Sequence, residues 1–432
     1  MVSERALPRA DAPVTAGAGA AGPSRPRLAG VEGLRGVAAG SILLYHVWLY
    51  GQPRRQLDDY GPLSRFVFPH LPLGVTLFFA LSAFLLYRPI AAAVLAGEPR
   101  PATRPYLRNR GLRILPAYWV VLLATAVVLP AAVLRTGPGS LELGRMTHDP
   151  GLLLRNGVLV QNYSPESVLT GIAPAWSLAV EVVFYLVLPV LGLLAASLAA
   201  RAGRVRGRVL AVLVPAGVLL VTGLSGKAAA DRWITPAGGP SPGWDGDWHS
   251  VVVRSFWGQA DLFTFGMVLA VLHVAVHRGL VVLPRWWRWP AWAALLGIAA
   301  TLAVLTDRAI WAAGRNPYEL TAALGCALLL ALVVLPRATA DRGPGLLVRL
   351  LSTRAAVLVG LCSYSVFLWH EPLIRLLRSH GWTMPGRGGL LVNLVVVGAL
   401  TAILAAATYR WVERPALRRK RRSTSPGPAA AP

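Results

Sequence analysis

The sequence predicts an all-α polytopic membrane protein of about ten transmembrane helices, with both termini cytoplasmic. Three observations carry that prediction. Of the 432 residues, 55% are hydrophobic and only 14% charged, with a mean hydropathy of +0.54, whereas a soluble chain carries about a quarter charged residues. Apolar stretches of roughly 20 residues, long enough to span a bilayer as helices, recur ten times. Basic residues also alternate between rich and poor loops, as they do where cytoplasmic segments hold the excess of Lys and Arg.

The ten stretches centre near Ile42, Phe79, Leu123, Val187, Leu213, Met267, Leu296, Leu329, Val366 and Val397. The first is interrupted by Glu32 and Arg35, so its entry end must lie at the interface or face protein. The fifth is short and contains Pro215. With the N-terminus inside, the inner segments hold 28 of the 43 Lys and Arg residues and the outer segments 14, leaving Arg35 within the first span. This bias accounts for the net charge of +24 as a topology signal and leaves no need for a nucleic-acid partner. Residues 1–27, rich in Ala, Pro and Gly, read as a disordered cytoplasmic arm without the apolar core of a secretory signal. Residues 28–416 form the membrane domain. Residues 417–432 read as a basic disordered tail suited to anionic headgroups. The two cysteines, Cys326 and Cys362, lie in apolar runs and offer neither a disulfide framework nor a metal site.

Ionisable residues at membrane depth are costly and point to function. Arg35 and His46 share the first helix, and eleven residues at about 100° each return to within roughly 20° of one face, ~16 Å apart. The alternative for His46 is an imidazole that only joins a neighbouring helix. In the fourth span Ser177, Glu181 and Tyr185 recur every four residues and stack on one face. A carboxylate there needs a partner, for which an imidazole or guanidinium is natural. Asp261 lies near the outer end of span six. Span nine ends with Tyr364, Trp369 and His370, where Trp369 reads as an interfacial belt residue. The second cytoplasmic loop carries Arg108, Arg110 and Arg113. His46, Glu181, Asp261 and His370 are thus expected in the outer half, and Arg35, Arg108, Arg110, Arg113 and Glu413 at the inner side.

These residues resemble the integral-membrane acyltransferase-3 family, bacterial O-acyltransferases of sugars, lipopolysaccharide, peptidoglycan and macrolides. Glu32-Gly33-Leu34-Arg35-Gly36 through Tyr45-His46 is similar to the family's opening motif. Gly74 to Phe79 with Leu81-Ser82-Ala83-Phe84-Leu85 is similar to its second-helix motif, with Thr76 and Ala83 where Asp and Gly are commoner. Arg110, Arg113, Ile114, Leu115 and Pro116, then Gln161-Asn162, Trp176-Ser177-Leu178, Glu181 and Phe184-Tyr185 continue the order. Ser363-Tyr364, Leu368-Trp369-His370 and Glu413-Arg414-Pro415 complete it. Val182 stands where many members have a second acidic residue, which weakens any mechanism needing a carboxylate pair there. No fused hydrolase-like domain is expected.

The resemblance implies an acyltransferase of groups other than aminoacyl groups, moving an acyl, usually acetyl, group from cytoplasmic acyl-CoA to a hydroxyl of a sugar, surface glycan or glycosylated metabolite. Acyl-CoA enters as donor substrate, with no permanently bound cofactor and no metal. His46 is the candidate general base, with Glu181 a candidate for orienting it. Arg35, Arg108, Arg110 and Arg113 are candidates for the coenzyme phosphates. Ser177, Tyr185, Asp261, Tyr364 and His370 are candidates for oxyanion or acceptor contacts. The abundance of Ala, Arg, Gly and Pro suggests a GC-rich bacterial source, hence a bacterial plasma membrane. The alternative is a transporter or exporter of a small carboxylate or acylated metabolite, because buried ionisable groups also mark substrate pathways.

Overall fold

The computed structural model describes residues 28–52, 60–137, 140–234, 243, 245–309, 315–335 and 344–422. The expected N-terminal arm lies outside these residues. All ten apolar stretches are helical: α1 (Val31–Gly51), α2 (Leu73–Ala96), α3 (Thr103–Leu123), α4 (Trp176–Ala200), α5 (Val205–Trp233), α6 (Thr264–His277), α7 (Arg288–Ala309), α8 (Arg315–Val334), α9 (Arg354–Ser379) and α10 (Gly386–Thr408). Among the described residues eight helical segments are long and apolar enough to cross a membrane, and Arg288–Val304 in α7 is apolar but shorter. α1 is not among the eight. Its 21 residues are enough to span, but Glu32, Arg35 and His46 dilute its apolar character.

Helices dominate because the hydrocarbon core leaves a backbone N–H no partner except a carbonyl of its own segment. Prolines stand inside α2, α3, α4, α5 and α9, and α5 runs through Pro215 for 29 residues. The last helical segment, Arg414–Arg422, carries the helix past residue 417, where a disordered tail was expected to begin; residues 423–432 lie outside the described ones. One element departs from the all-helical expectation. After α3 an antiparallel hairpin pairs β1 (Ala132–Gly137) with β2 (Ser140–Gly144), with an irregularity between Val133 and Arg135.

Small residues and aromatic hydroxyls hold the helices together. α1 and α9 approach until their backbones touch: a Cβ on Gly33 would run into the Leu351 carbonyl just before α9, and one on Gly360 into the Glu32 carbonyl. Without a hydrophobic drive between helices in lipid, such close backbone approach supplies packing energy instead. The Tyr87 hydroxyl donates to the Val212 carbonyl at 2.7 Å and ties α2 to α5. The Tyr364 hydroxyl donates to the Ile114 carbonyl at 2.9 Å and ties α9 to α3. Trp369 is buried and donates to Thr408 Oγ1 at 3.0 Å, so it joins α9 to α10 and is not an interfacial belt residue.

Asp261 also turns inward to packing. It sits in the short turn Ala260–Phe263 ahead of α6 and is fully buried. Lys227 Nζ of α5 lies 2.7 Å from Asp261 Oδ2 and 2.9 Å from Glu319 Oε2 of α8. None of the three lines the cavity described below. The expected role of Asp261 in acceptor or oxyanion contacts therefore gives way to a buried ion cluster joining α5, α8 and the approach to α6.

Two consequences are measurable in detergent. Gly360→Val should abolish most of the monodisperse folded protein in size exclusion, because the clash is with backbone, whereas Gly40→Ala, facing open space, should stay within ~0.5 kcal/mol. Lys227→Met strands two carboxylates and should cost about 3–5 kcal/mol, read as a lowered midpoint of thermal unfolding.

Candidate functional site

A cavity of about 100 Å³ opens between α1, α2, α3, α4 and α9, with room for several water molecules. Its lining has two characters. One part is polar, from Arg35, Ser82, Arg110, Arg113, Ser177, Glu181, Tyr185, Ser363 and Tyr364. The other is apolar, from Val75, Phe78, Phe79, Leu178 and Phe367 among others. Helical spacing explains the polar set. Ser177, Glu181 and Tyr185 are four apart, and Arg110 and Arg113 three apart, so each group shares a face. Arg108 is two residues before Arg110, a spacing that turns it to another face. It is exposed and does not line the cavity, so it separates from the other three expected phosphate ligands.

The three cavity arginines are unevenly neutralised. Arg113 donates to Glu413 Oε2 at 3.3 Å, and Glu413, 2% exposed, also accepts from Ser365. Arg35 lies 3.9 Å from Glu32 Oε2. Arg110 Nε is buried with no hydrogen-bond partner among the described residues, and its guanidinium stands 5.9 Å from the Tyr185 ring centre. A buried N–H of a charged group left unbonded is costly.

Glu181 belongs to this cationic layer. Its carboxylate accepts from the Tyr185 hydroxyl at 2.6 Å and from Ser82, and it shares the cavity with Arg35, Arg110 and Arg113. The expectation that Glu181 lies beside His46 and fixes its tautomer is not what the contacts show. The nearest donors to the carboxylate, one turn along its own helix and across on α2, hold it at the arginine end.

His46 is paired instead with His370. His46 Nδ1 and His370 Nε2 are 2.8 Å apart, and His370 Nδ1 is 3.1 Å from the Val366 carbonyl oxygen. The protons follow from these contacts. A carbonyl can only accept, so His370 Nδ1 carries a proton and, in the neutral ring, Nε2 does not. His46 Nδ1 must then donate, which leaves His46 Nε2 with a free lone pair. Besides His370, the His46 ring meets the Ile42 backbone one turn earlier on α1. Tyr50 stacks on His46 with centroids 5.3 Å apart and planes 8° apart, and the Arg375 guanidinium lies 4.0 Å from the Tyr50 ring centre while bonding to Glu371.

One face of α9 connects the two groups. Ser363, Tyr364 and Phe367 line the cavity, and His370 follows ~10 Å beyond Ser363 at the rise of an α-helix. Phe367 stands between, its ring centre 5.8 Å from that of His370. Sequence reasoning missed Phe78, Phe367, Tyr50, Arg375 and the role of Ser82. Tyr50 follows His46 by four residues and Arg375 follows Glu371 by four, so helical spacing could have found both. Ser82 could have been found as a hydroxyl inside a strongly apolar helix.

A family model described as an acyltransferase domain, of the acyltransferase-3 type, matches residues 28–410. No curated relative and no solved structure matches the chain. The family match runs from the approach to α1 through the end of α10 and takes in both the arginine-lined cavity and the histidine pair: the chain belongs to the acyltransferase-3 family and is a multi-pass membrane acyltransferase.

Proposed function

We propose that the protein is an O-acyltransferase that moves an acyl group from acyl-CoA to a hydroxyl of a sugar or glycoside, with His46 as general base. The observation that carries this reading is the juxtaposition of a cationic cavity, holding an unbonded buried Arg110 Nε, with an imidazole whose Nε2 is free to accept a proton. The loop charges of the sequence favour a cytoplasmic arginine end, where acyl-CoA is found, with the histidine end toward the acceptor. A bacterial plasma membrane fits the composition.

In this scheme Arg35, Arg110 and Arg113 take the phosphates of the donor, since guanidinium bonds phosphate oxygens bidentately. The acceptor hydroxyl donates to His46 Nε2. As its oxygen bonds to the thioester carbonyl carbon, the proton passes to His46 and the imidazolium is held by His370 Nε2 accepting from Nδ1–H. Collapse of the tetrahedral intermediate breaks the carbon–sulfur bond, and the coenzyme thiolate leaves and takes the proton from His46, which returns to the neutral imidazole. Glu181, Tyr185, Ser82 and Ser177 shape the polar wall, and Tyr364 holds α9 against α3. Transport is the weaker reading: the family match is to an acyltransferase domain.

Purified protein given acetyl-CoA and a glycoside acceptor should release free thiol. His46→Ala should lower that release by about 10²–10⁴-fold with abundance and membrane insertion intact, and full activity in such a variant would remove His46 from the chemistry. Arg110→Gln should weaken acyl-CoA binding by roughly tenfold or more, as expected for a lost charge-assisted hydrogen bond. The loss should shrink as salt is raised; an affinity equal to the parent's across the salt series would exclude a phosphate contact.

A further inference from the structure

We propose that Phe78 and Phe367 form the end wall of an acyl subsite and set the length of acyl chain the enzyme transfers. This inference rests on the acyl-CoA reading above and adds to it two residues that determine donor specificity.

The argument starts from where an acyl tail can go. The thioester carbonyl must reach the oxygen bonded to His46 while the coenzyme's phosphates stay with the arginines, so the carbonyl sits at the boundary between cavity and histidine pair. Phe367 occupies that boundary, lining the cavity on one side and standing 5.8 Å, centre to centre, from the His370 ring on the other. Phe78 of α2 meets it edge to face, with centroids 6.1 Å apart and planes at 73°. Ser82 and Ser363 lie one helical turn from Phe78 and Phe367, so the two rings are the apolar surface met by a tail at this end.

The neighbouring wall has no room to recede. Phe79 is buried and stacks on Phe263 with centroids 4.7 Å apart, and Phe263 stacks in turn on Phe184 at 4.2 Å. The edge of Trp176 closes Phe79 from another side at 6.4 Å. A tail longer than the cavity must therefore displace Phe78 or Phe367. Phe367 is 5% exposed and its packing resists displacement, whereas Phe78 is half-buried and is the ring that would yield first.

The test is a ladder of acetyl-, propionyl-, butyryl-, hexanoyl- and octanoyl-CoA, scored as kcat/KM relative to acetyl-CoA in the full-length enzyme. The parent should fall steeply beyond the short donors. Phe78→Ala should raise the hexanoyl-to-acetyl ratio by up to about fourfold for each added methylene the opened space buries, and Phe78→Leu by less. Because the readout is a ratio, a loss of rate common to all donors cancels. Phe78 is the cleaner probe because Phe367 also touches His370. A level profile out to octanoyl-CoA in the parent, or unchanged ratios in the Ala and Leu variants, would overturn the proposal while leaving the acyltransferase reading intact. No turnover of any acyl-CoA by the parent would instead remove the reading on which it rests.

Discussion

The contact between α1 and α9 sets the separation of the two imidazoles, because His46 and His370 project from these helices and have no other means of meeting. Helices that pack through large side chains keep their axes 8–10 Å apart. Here Gly33, Gly36 and Gly360 let the backbones come into contact, and 324 residues of separation in sequence close to 2.8 Å between ring nitrogens. The same approach brings Arg35 to the cavity that Ser363 and Tyr364 line from the facing helix. Arg35 and His46 thus stand on one helix of this pair, while Arg110 and Arg113 reach the cavity from α3. The relative depth of Arg35 and His46 is fixed by helical rise and does not depend on loop conformation.

A second constraint is electrostatic. Besides the Arg375 and Glu371 pair near the histidines, buried charges gather in two further places. At the cavity, three arginines face one carboxylate in their midst and two at its margin, Glu32 and Glu413. In the cluster of Lys227, Asp261 and Glu319, one ammonium bridges two carboxylates away from the cavity. The first arrangement leaves a guanidinium nitrogen for an anion. The second satisfies its ammonium twice and works as a packing element, of the kind whose removal is more costly than its presence is stabilising.

Much of this was legible in the sequence because helices impose periodicity. Ten apolar stretches gave ten helices, and the four-residue rhythm of Ser177, Glu181 and Tyr185 placed all three on one wall. The same rhythm argues against Arg108, whose spacing from Arg110 turns it away. What periodicity does not encode is the meeting of distant helices. The His46 and His370 pairing and the diversion of Asp261 to Lys227 both depend on tertiary packing. Lys227 in particular was counted among loop cations although it lies within α5 and is 3% exposed. For Glu181 the spacing gives the face, but the expected imidazole or guanidinium partner is replaced by the hydroxyls of Ser82 and Tyr185. The hairpin after α3 went unseen because a charged segment between spans reads as loop.

A histidine held by another histidine differs in kind from one held by a carboxylate. With both rings neutral the pair adds no net charge at rest, and the nearest fixed charges are those of the Arg375 and Glu371 pair beyond Tyr50. Under the proposed chemistry, positive charge on His46 and negative charge on the thioester carbonyl oxygen arise together; the negative charge passes to the leaving thiolate, and both disappear when His46 gives that thiolate its proton. The attraction between them exists only at the top of the barrier, which is where an interaction must act to accelerate a reaction. On that proposal, standing charge at the arginines holds the donor and transient charge at the histidines transforms it.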